Sequence, residues 1–288
     1  MPLDEFQKRV ARTIAVNRTP SSPFAGGVMI HRNGFRLSDD GDIFTDSQDI
    51  DHLFKQDVEL LVAAGLHVEE TKRYPGFVEA LVSSQDEEDP GVTKLQWVRE
   101  GLRGFFTPIE DADVGFRLHF ADLAVNKLLA CVGRSEVRDY VDLWMIDKLA
   151  LPLWRLANAA PGKDLRWSPE SILEKLSSTM VFTEEDFEND VVSMIELDPR
   201  TILQELMGSL EHARAVLKVQ PFERMGKLEI VEGEAVSSLD NKSHGEWIEP
   251  RKGGAFPSPE GGDTWLTRRI VEVFGVDGAK ITDSLTFP

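Results

Sequence analysis

The stretch Arg36-Leu37-Ser38-Asp39-Asp40-Gly41-Asp42-Ile43-Phe44-Thr45-Asp46, entered through Gly26-Gly27, constrains this chain more than any other. Asp40 and Asp42 are two residues apart, so an extended strand sends both side chains out of one face. Two carboxylates leaving together repel unless a cation or a shared proton compensates them. An oxygen-only pair of this kind suits Mg²⁺, which is commonly held by one or two carboxylates together with substrate phosphates. Asp-Gly is equally a turn signal, and an acidic turn between two strands fits the same residues.

The rest of the chain frames that stretch. Residues 3–16 have Leu3, Phe6, Val10 and Ile14 at helical spacing, and the segment 17–23 breaks the helix. Phe35 to Phe44 reads as the acidic strand. A helix over 49–65, stopped by Gly65, precedes strands at 66–70, 77–82 and 92–98. In the last of these Thr93, Leu95 and Trp97 oppose Lys94, Gln96 and Val98, while residues 85–91 form an acidic turn. Residues 24–98 therefore predict an α+β fold with a mixed sheet. A Gly/Pro-bearing connection over 101–115 leads to a helix that Asp122 caps, interrupted at 133–137 and followed by a second opening at Arg138. Asp139 and Asp142 share a face of that second helix, where carboxylates also complement the helix dipole. Residues 146–220 read as mostly helical, with starts at Ser168-Pro169, Thr183 and Asp198-Pro199. After Gln220-Pro221 come a strand at 227–231, a Ser/Gly/Pro-rich arm and a last helix from Trp265 to Val276. Three regions result: 1–148, 149–220 and 221–288.

Composition narrows the function classes. The net charge of −18 argues against a broad nucleic-acid-binding surface. No apolar run approaches the roughly 20 residues that span a bilayer, and the N-terminus has no signal-peptide core. The single cysteine, Cys131, sits in an apolar run and fits a buried thiol in a reducing cytoplasm.

Together, Gly26-Gly27 with Arg36-x-Ser38-Asp39-Asp40-x-Asp42-Ile43-Phe44-Thr45-Asp46, Asp122-Leu123-Ala124-x-x-Lys127-Leu128 and Arg138-Asp139-x-x-Asp142-Leu143 resemble the AbiEii/AbiGii toxin family of the nucleotidyltransferase superfamily. The resemblance covers roughly residues 24–148. It implies a polymerase-β-like fold, a mixed sheet flanked by helices and followed by a helical region. It implies catalytic Asp40, Asp42, Lys127 and Asp139, with Mg²⁺ or Mn²⁺ held by Asp40 and Asp42. The nucleotide would be bound through Gly26, Gly27, Arg36, Ser38, Lys127 and Asp142. Lys127 would neutralise triphosphate charge, and Asp139 would act on the acceptor or position Lys127. The activity implied is transfer of an NMP from an NTP to a hydroxyl of an RNA such as tRNA, a protein or a small molecule. An antitoxin protein is the implied partner.

Three positions depart from the family pattern. Val28 stands where Ser or Thr usually follows the glycines, and Gly41 replaces an apolar residue between the carboxylates. The later strand should carry a third carboxylate, and Lys94-Leu95-Gln96-Trp97-Val98 places Gln96 there. An amide supplies neither the charge of a metal ligand nor a base. The chain then is a weakened enzyme, uses another carboxylate such as Glu100, or is a nucleotidyltransferase-fold binding or scaffold protein without turnover.

Overall fold

Period-two patterning governs the centre of the molecule, and the computed structural model describes residues 3–38, 40–86, 90–237 and 245–274. Asp39, the tip of the acidic turn at 87–89 and the end of the last expected helix beyond Phe274 lie outside the described residues.

Helix α1 (Glu5–Ile14) starts with a reciprocal capping box between Asp4 and Gln7 and buries Phe6, Val10 and Ile14. Strand β1 (Phe24–Ala25) runs directly into the five-residue helix α2 (Gly26–Ile30), and β2 (Asp40–Thr45) follows. The strand begins at Asp40 rather than at Phe35. Residues 35–37 pair elsewhere: Leu37 N–H donates to Val192 O and Met194 N–H to Phe35 O, both at 2.9 Å. Helix α3 (Ile50–Ala63) is capped by Asp49 and ends before Gly65, whose φ is +78°. Strands β3 (Leu66–Tyr74), β4 (Phe77–Ser84) and β5 (Val92–Arg99) come next. The connection after β5 holds three short strands, β6 (Arg103–Gly104), β7 (Ile109–Asp111) and β8 (Gly115–Arg117).

Helix α4 (Phe120–Arg134) is capped by His119, whose side chain accepts the Ala121 N–H, so the expected cap at Asp122 is corrected. Asp122 is instead buried, accepting the N–H groups of Phe105 and Phe106 at 2.9 and 3.0 Å. Two donors outside the helix have claimed a carboxylate that the local pattern assigned to the helix start. Helices α5 (Val137–Leu149), α6 (Leu153–Lys163), α7 (Pro169–Thr179), α8 (Glu184–Asp190) and α9 (Pro199–Leu217) complete the helical region, with the last three capped by Ser168, Thr183 and Asp198. The chain closes with β9 (Leu228–Val231), β10 (Glu234–Ala235), β11 (Glu246–Ile248), β12 (Arg251–Lys252) and α10 (Thr264–Phe274).

The main sheet has seven strands in the order β3-β4-β5-β2-β1-β8-β7. The pairs β2–β5 and β1–β8 are parallel and the others antiparallel, so the sheet is mixed. Along β2, Gly41, Ile43 and Thr45 are buried while Asp40, Asp42 and Phe44 face the partly open side. Along β5, Thr93, Leu95 and Trp97 are buried and Lys94, Gln96 and Val98 share the open side. Trp97 is fully buried, packs edge-on against Phe54 of α3 and donates its indole N–H to Asp57 at 2.7 Å. Burying a large apolar side chain of this kind stabilises by roughly 1.5–3 kcal/mol. The two faces thus divide labour: one anchors the sheet, the other presents Asp40 and Asp42.

Candidate active site

Gly26 fits the site through its lack of a side chain. Its φ is +72°, and a Cβ built there would lie 1.7 Å from Asp42 Oδ2, so Asp42 rests directly on the glycine backbone. A Cβ on Gly27 would meet Arg36 Nη2 at 2.8 Å and Ser38 Oγ at 3.2 Å. The glycine pair therefore brings Asp42, Arg36 and Ser38 around one turn. Gln7 of α1 fixes that turn from outside, donating its side-chain amide to Ser38 O at 2.7 Å.

The parallel register sets Asp40 against Lys94 and Asp42 against Gln96. Lys94 Nζ stands 2.8 Å from Asp40 Oδ1 as an ion pair, although no hydrogen bond of good geometry reaches that buried oxygen. Gln96 donates its amide at 2.9 Å to Glu79 Oε2 on β4, and Glu79 also accepts from Thr71 Oγ1 at 2.9 Å and pairs with Lys72 at 3.1 Å. Burial pushes the Asp42 carboxyl up to about 6, with the charge of Asp40 adding to it against Lys127, Arg134 and Arg138. No group of three or more His, Cys, Asp or Glu among the described residues forms a metal cage. The pair Asp40/Asp42 still fits a hard cation whose remaining ligands come from substrate. Asp40 already holds one cation, Lys94 at 2.8 Å, and Asp42 is raised by burial first and by the Asp40 charge second, which a bound cation would offset.

Behind the pair lies a buried network linking α4 and α5. Lys127 Nζ is 2.8 Å from Asp139 Oδ1 and 2.9 Å from Asp142 Oδ2. Burial works against the Lys127 charge, but Asp142 and Asp139 outweigh it and raise its pKa. Arg134 also donates to Asp139, at 2.8 and 3.0 Å. Asp142 takes Arg36 in bidentate fashion at 2.6 and 2.9 Å and His31 Nε2 at 2.6 Å. Burial alone would raise Asp142, yet Lys127, Arg36 and His31 hold its pKa well below the usual carboxylate range. Burial lowers the His31 pKa against the pull of Asp142, so His31 is neutral at pH 7. Its Nε2 then carries the proton toward Asp142 while Nδ1 accepts the Arg36 N–H at 3.4 Å.

The residues that the resemblance implies for catalysis, nucleotide and metal fall in two adjoining clusters, while Glu100, the alternative carboxylate, lines a separate cavity. Gly26, Gly27, Ser38, Asp40 and Asp42 form the face; Arg36, Lys127, Asp139 and Asp142 form the buried layer behind it. His31, Glu79, Lys94 and Arg134 join them unannounced. Lys94 was legible through its alternation with Gln96, whereas nothing in the spacing of His31 pointed to Asp142. Cys131 is buried with its thiol pKa raised well above normal by burial, so it is no nucleophile.

Fold and site define an α+β protein whose mixed sheet, flanked by helices, presents two carboxylates beside a glycine pair. No known family's profile and no curated protein matches the chain. Among solved structures, JHP933 from Helicobacter pylori is similar at 17% identity and a TM-score of 0.48, over 75% of this chain and 93% of that one. A second H. pylori protein, described as a candidate nucleotidyltransferase, is similar at 15% identity and a TM-score of 0.46, over 76% of this chain and 98% of the other. No helix among the described residues is long and apolar enough to cross a membrane.

Proposed function

We propose that the protein is a nucleotidyltransferase that moves an NMP from an NTP to an acceptor hydroxyl. The observation that carries this reading is the seating of Asp42 on Gly26, with Asp40 beside it on the open face of β2. Asp40 and Asp42 would hold Mg²⁺ or Mn²⁺, which when bound supplies charge stabilisation at the α-phosphate. Ser38 and the backbone at Gly26-Gly27 bind phosphate oxygens, and Lys127, Arg36 and Arg134, which outnumber Asp139 and Asp142, set a positive potential behind them. Asp139 is fully buried between Lys127 and Arg134, which supports positioning of Lys127 rather than contact with the acceptor. Arg36 and Asp142 support nucleotide binding in the same indirect way, by shaping the turn at Gly27. In the reaction the acceptor oxygen bonds to the α-phosphorus, the bond to the bridging oxygen breaks, pyrophosphate leaves, and the hydroxyl proton passes to water. The motif resemblance extends the proposal to an AbiEii-type toxin with an antitoxin partner and an RNA, protein or small-molecule acceptor.

Two features favour a second reading. Lys94 pairs with Asp40 at 2.8 Å, and Gln96 faces Asp42 where the resemblance implies a carboxylate, which suits a protein that binds nucleotide without turning it over. The test is a thermal shift with Mg²⁺ and each NTP, on the parent and on Asp42→Ala, followed by transfer from α-labelled NTPs in cell extract. Binding to the native state raises the melting temperature. A shift with label transfer, both lost in Asp42→Ala, is the expected result. A shift without transfer selects the binder, and no shift removes both readings.

A further inference from the structure

Beyond Asp42 the open face of β2 continues to Phe44, about 7 Å further along the strand at its rise per residue. Phe44 lines a cavity of about 700 Å³ between the segment following β5, α4, and the turn after α6. Ser38 and Gly27 lie before the start of β2, so the carboxylates stand between the phosphate-binding turn and this cavity.

The walls carry Phe106, Leu102, Leu129 and Trp167. Their charges cancel: Lys163 pairs with Asp122 at 2.7 Å, Arg166 with Asp164 at 2.7 Å, and Arg103 faces the same space as Glu100. A cavity of this size and balance suits an uncharged molecule with a flat or apolar body. It offers no surplus of positive charge for a phosphate chain, in keeping with the net charge of −18.

The roof comes from the arm after β11, whose role the sequence left open. Strand β12 pairs antiparallel with β6, and the ladder continues through Gly253 N–H to Leu102 O, Ala255 N–H to Gly104 O and Phe256 N–H to Phe105 O, at 2.9–3.0 Å. Lys252 also reaches Asp46 at 2.9 Å, at the end of the acidic stretch. Gly254, which lines the cavity with φ at +101°, lies so close that a Cβ would sit 2.4 Å from Thr107 N. The arm is therefore a fixed strap over the cavity, whose wall on β2 is Phe44, two residues on from Asp42.

We infer that this cavity is the acceptor site, and that the acceptor is a nucleoside-sized, uncharged compound whose flat ring stacks on Trp167 and whose hydroxyl points to Asp42. What becomes of the bound compound rests on the transferase reading; its binding does not. Gly133 provides the decisive variant. It lines the cavity from helix α4, and a Cβ there meets nothing within 4 Å, so Gly133→Trp adds bulk at the cavity wall from a position whose Cβ has room.

The probes are the four ribonucleosides and Mg·ATP, read by thermal shift on the parent, Asp42→Asn, Gly133→Trp and Trp167→Ala. At least one ribonucleoside is expected to stabilise the parent and Asp42→Asn. It should bind roughly tenfold or more weakly to Gly133→Trp and Trp167→Ala, as expected for loss of one stacked ring. The Mg·ATP shift should be equal in the parent and both cavity variants, and α-label should pass to that ribonucleoside in the parent only. Ribonucleosides that shift none of the proteins, or shift Gly133→Trp as strongly as the parent, overturn the inference. So does loss of the Mg·ATP shift in Gly133→Trp, which would make the cavity the NTP ring site, or equal labelling of RNA by parent and Gly133→Trp. Absence of any Mg·ATP shift in the parent sinks the transferase reading alone, because the ribonucleoside shifts still decide the cavity. Should Gly133→Trp fail to fold, Trp167→Ala carries the same comparison.

Discussion

Gln96 stands opposite Asp42 in the parallel register of β5 and β2, yet its side chain donates away from Asp42, to Glu79 on the next strand at 2.9 Å. Gln96→Asp exchanges that donor for a third carboxylate on the open face. Without metal, the variant loses a hydrogen bond to a charged group and gains like-charge repulsion, a cost of about 1–3 kcal/mol in urea unfolding. With Mn²⁺ the added carboxylate should tighten ion binding, read by calorimetric titration of parent and variant. Equal affinities would mean that β5 takes no part in the ion site.

Asp42 makes stability depend on pH in an unusual direction for a carboxylate. Its pKa rises from 3.8 to about 6 on folding, so the native state holds the proton more tightly than the unfolded chain. The stabilisation is complete below about pH 4 and is lost as pH rises through 6, with a total of about 3 kcal/mol. Asp42→Asn lacks this loss. The variant should therefore exceed the parent by up to about 3 kcal/mol at pH 7.5 and match it near pH 4. Urea unfolding at both pH values checks the difference; a gap independent of pH would contradict it.

The sequence reveals local features of this molecule far better than distant ones. Asp49 and Gly65 bracket α3 because caps and left-handed stops are chemistry of a few adjacent residues. The alternation in β2 and β5 likewise reads out which side chains share a face. Asp122 shows where this fails. Its carboxylate answers the amides of Phe105 and Phe106, which local spacing cannot weigh against a helix start. The strap over the cavity joins residues about 150 positions apart through backbone hydrogen bonds, which leave almost no side-chain signature. In the site, the glycine pair and Asp40/Asp42 were legible as a motif. Of the two carboxylates around Lys127, the resemblance offered Asp139 as one that acts on the acceptor or positions Lys127, but the closure by Asp142 was not legible, since it depends on how α4 and α5 cross.

Gly26 and Gly65 have nearly the same backbone, φ +72° and +78°, but different surroundings. A Cβ on Gly65 meets nothing within 4 Å, whereas one on Gly26 collides with Asp42. Gly65→Ala should cost only the left-handed penalty of about 1–2 kcal/mol. Gly26→Ala should cost that amount plus the displacement of Asp42, and should abolish Mn²⁺ binding that Gly65→Ala retains. Metal titration and unfolding of the two variants together separate strain from damage to the site.

Asp142 is the converse of Asp42, a buried carboxylate whose charge the fold needs. It accepts from both Arg36 and His31, and it shares Lys127 with Asp139. Asp142→Asn removes the buried charge that Arg36, His31 and Lys127 share and should cost about 3–5 kcal/mol at pH 7. Asp139→Asn should cost less, because Arg134, its second cation, is half exposed and can return to water. The pH sign is opposite to that of Asp42. The Asp142 pKa is depressed in the folded state, so its contribution is present above the ordinary carboxylate value of 3.8 and is lost as pH falls below it. Urea unfolding of Asp142→Asn should show a deficit that is constant from pH 5 to 8 and shrinks only in stronger acid, where the parent itself begins to lose the ion pairs around Lys127.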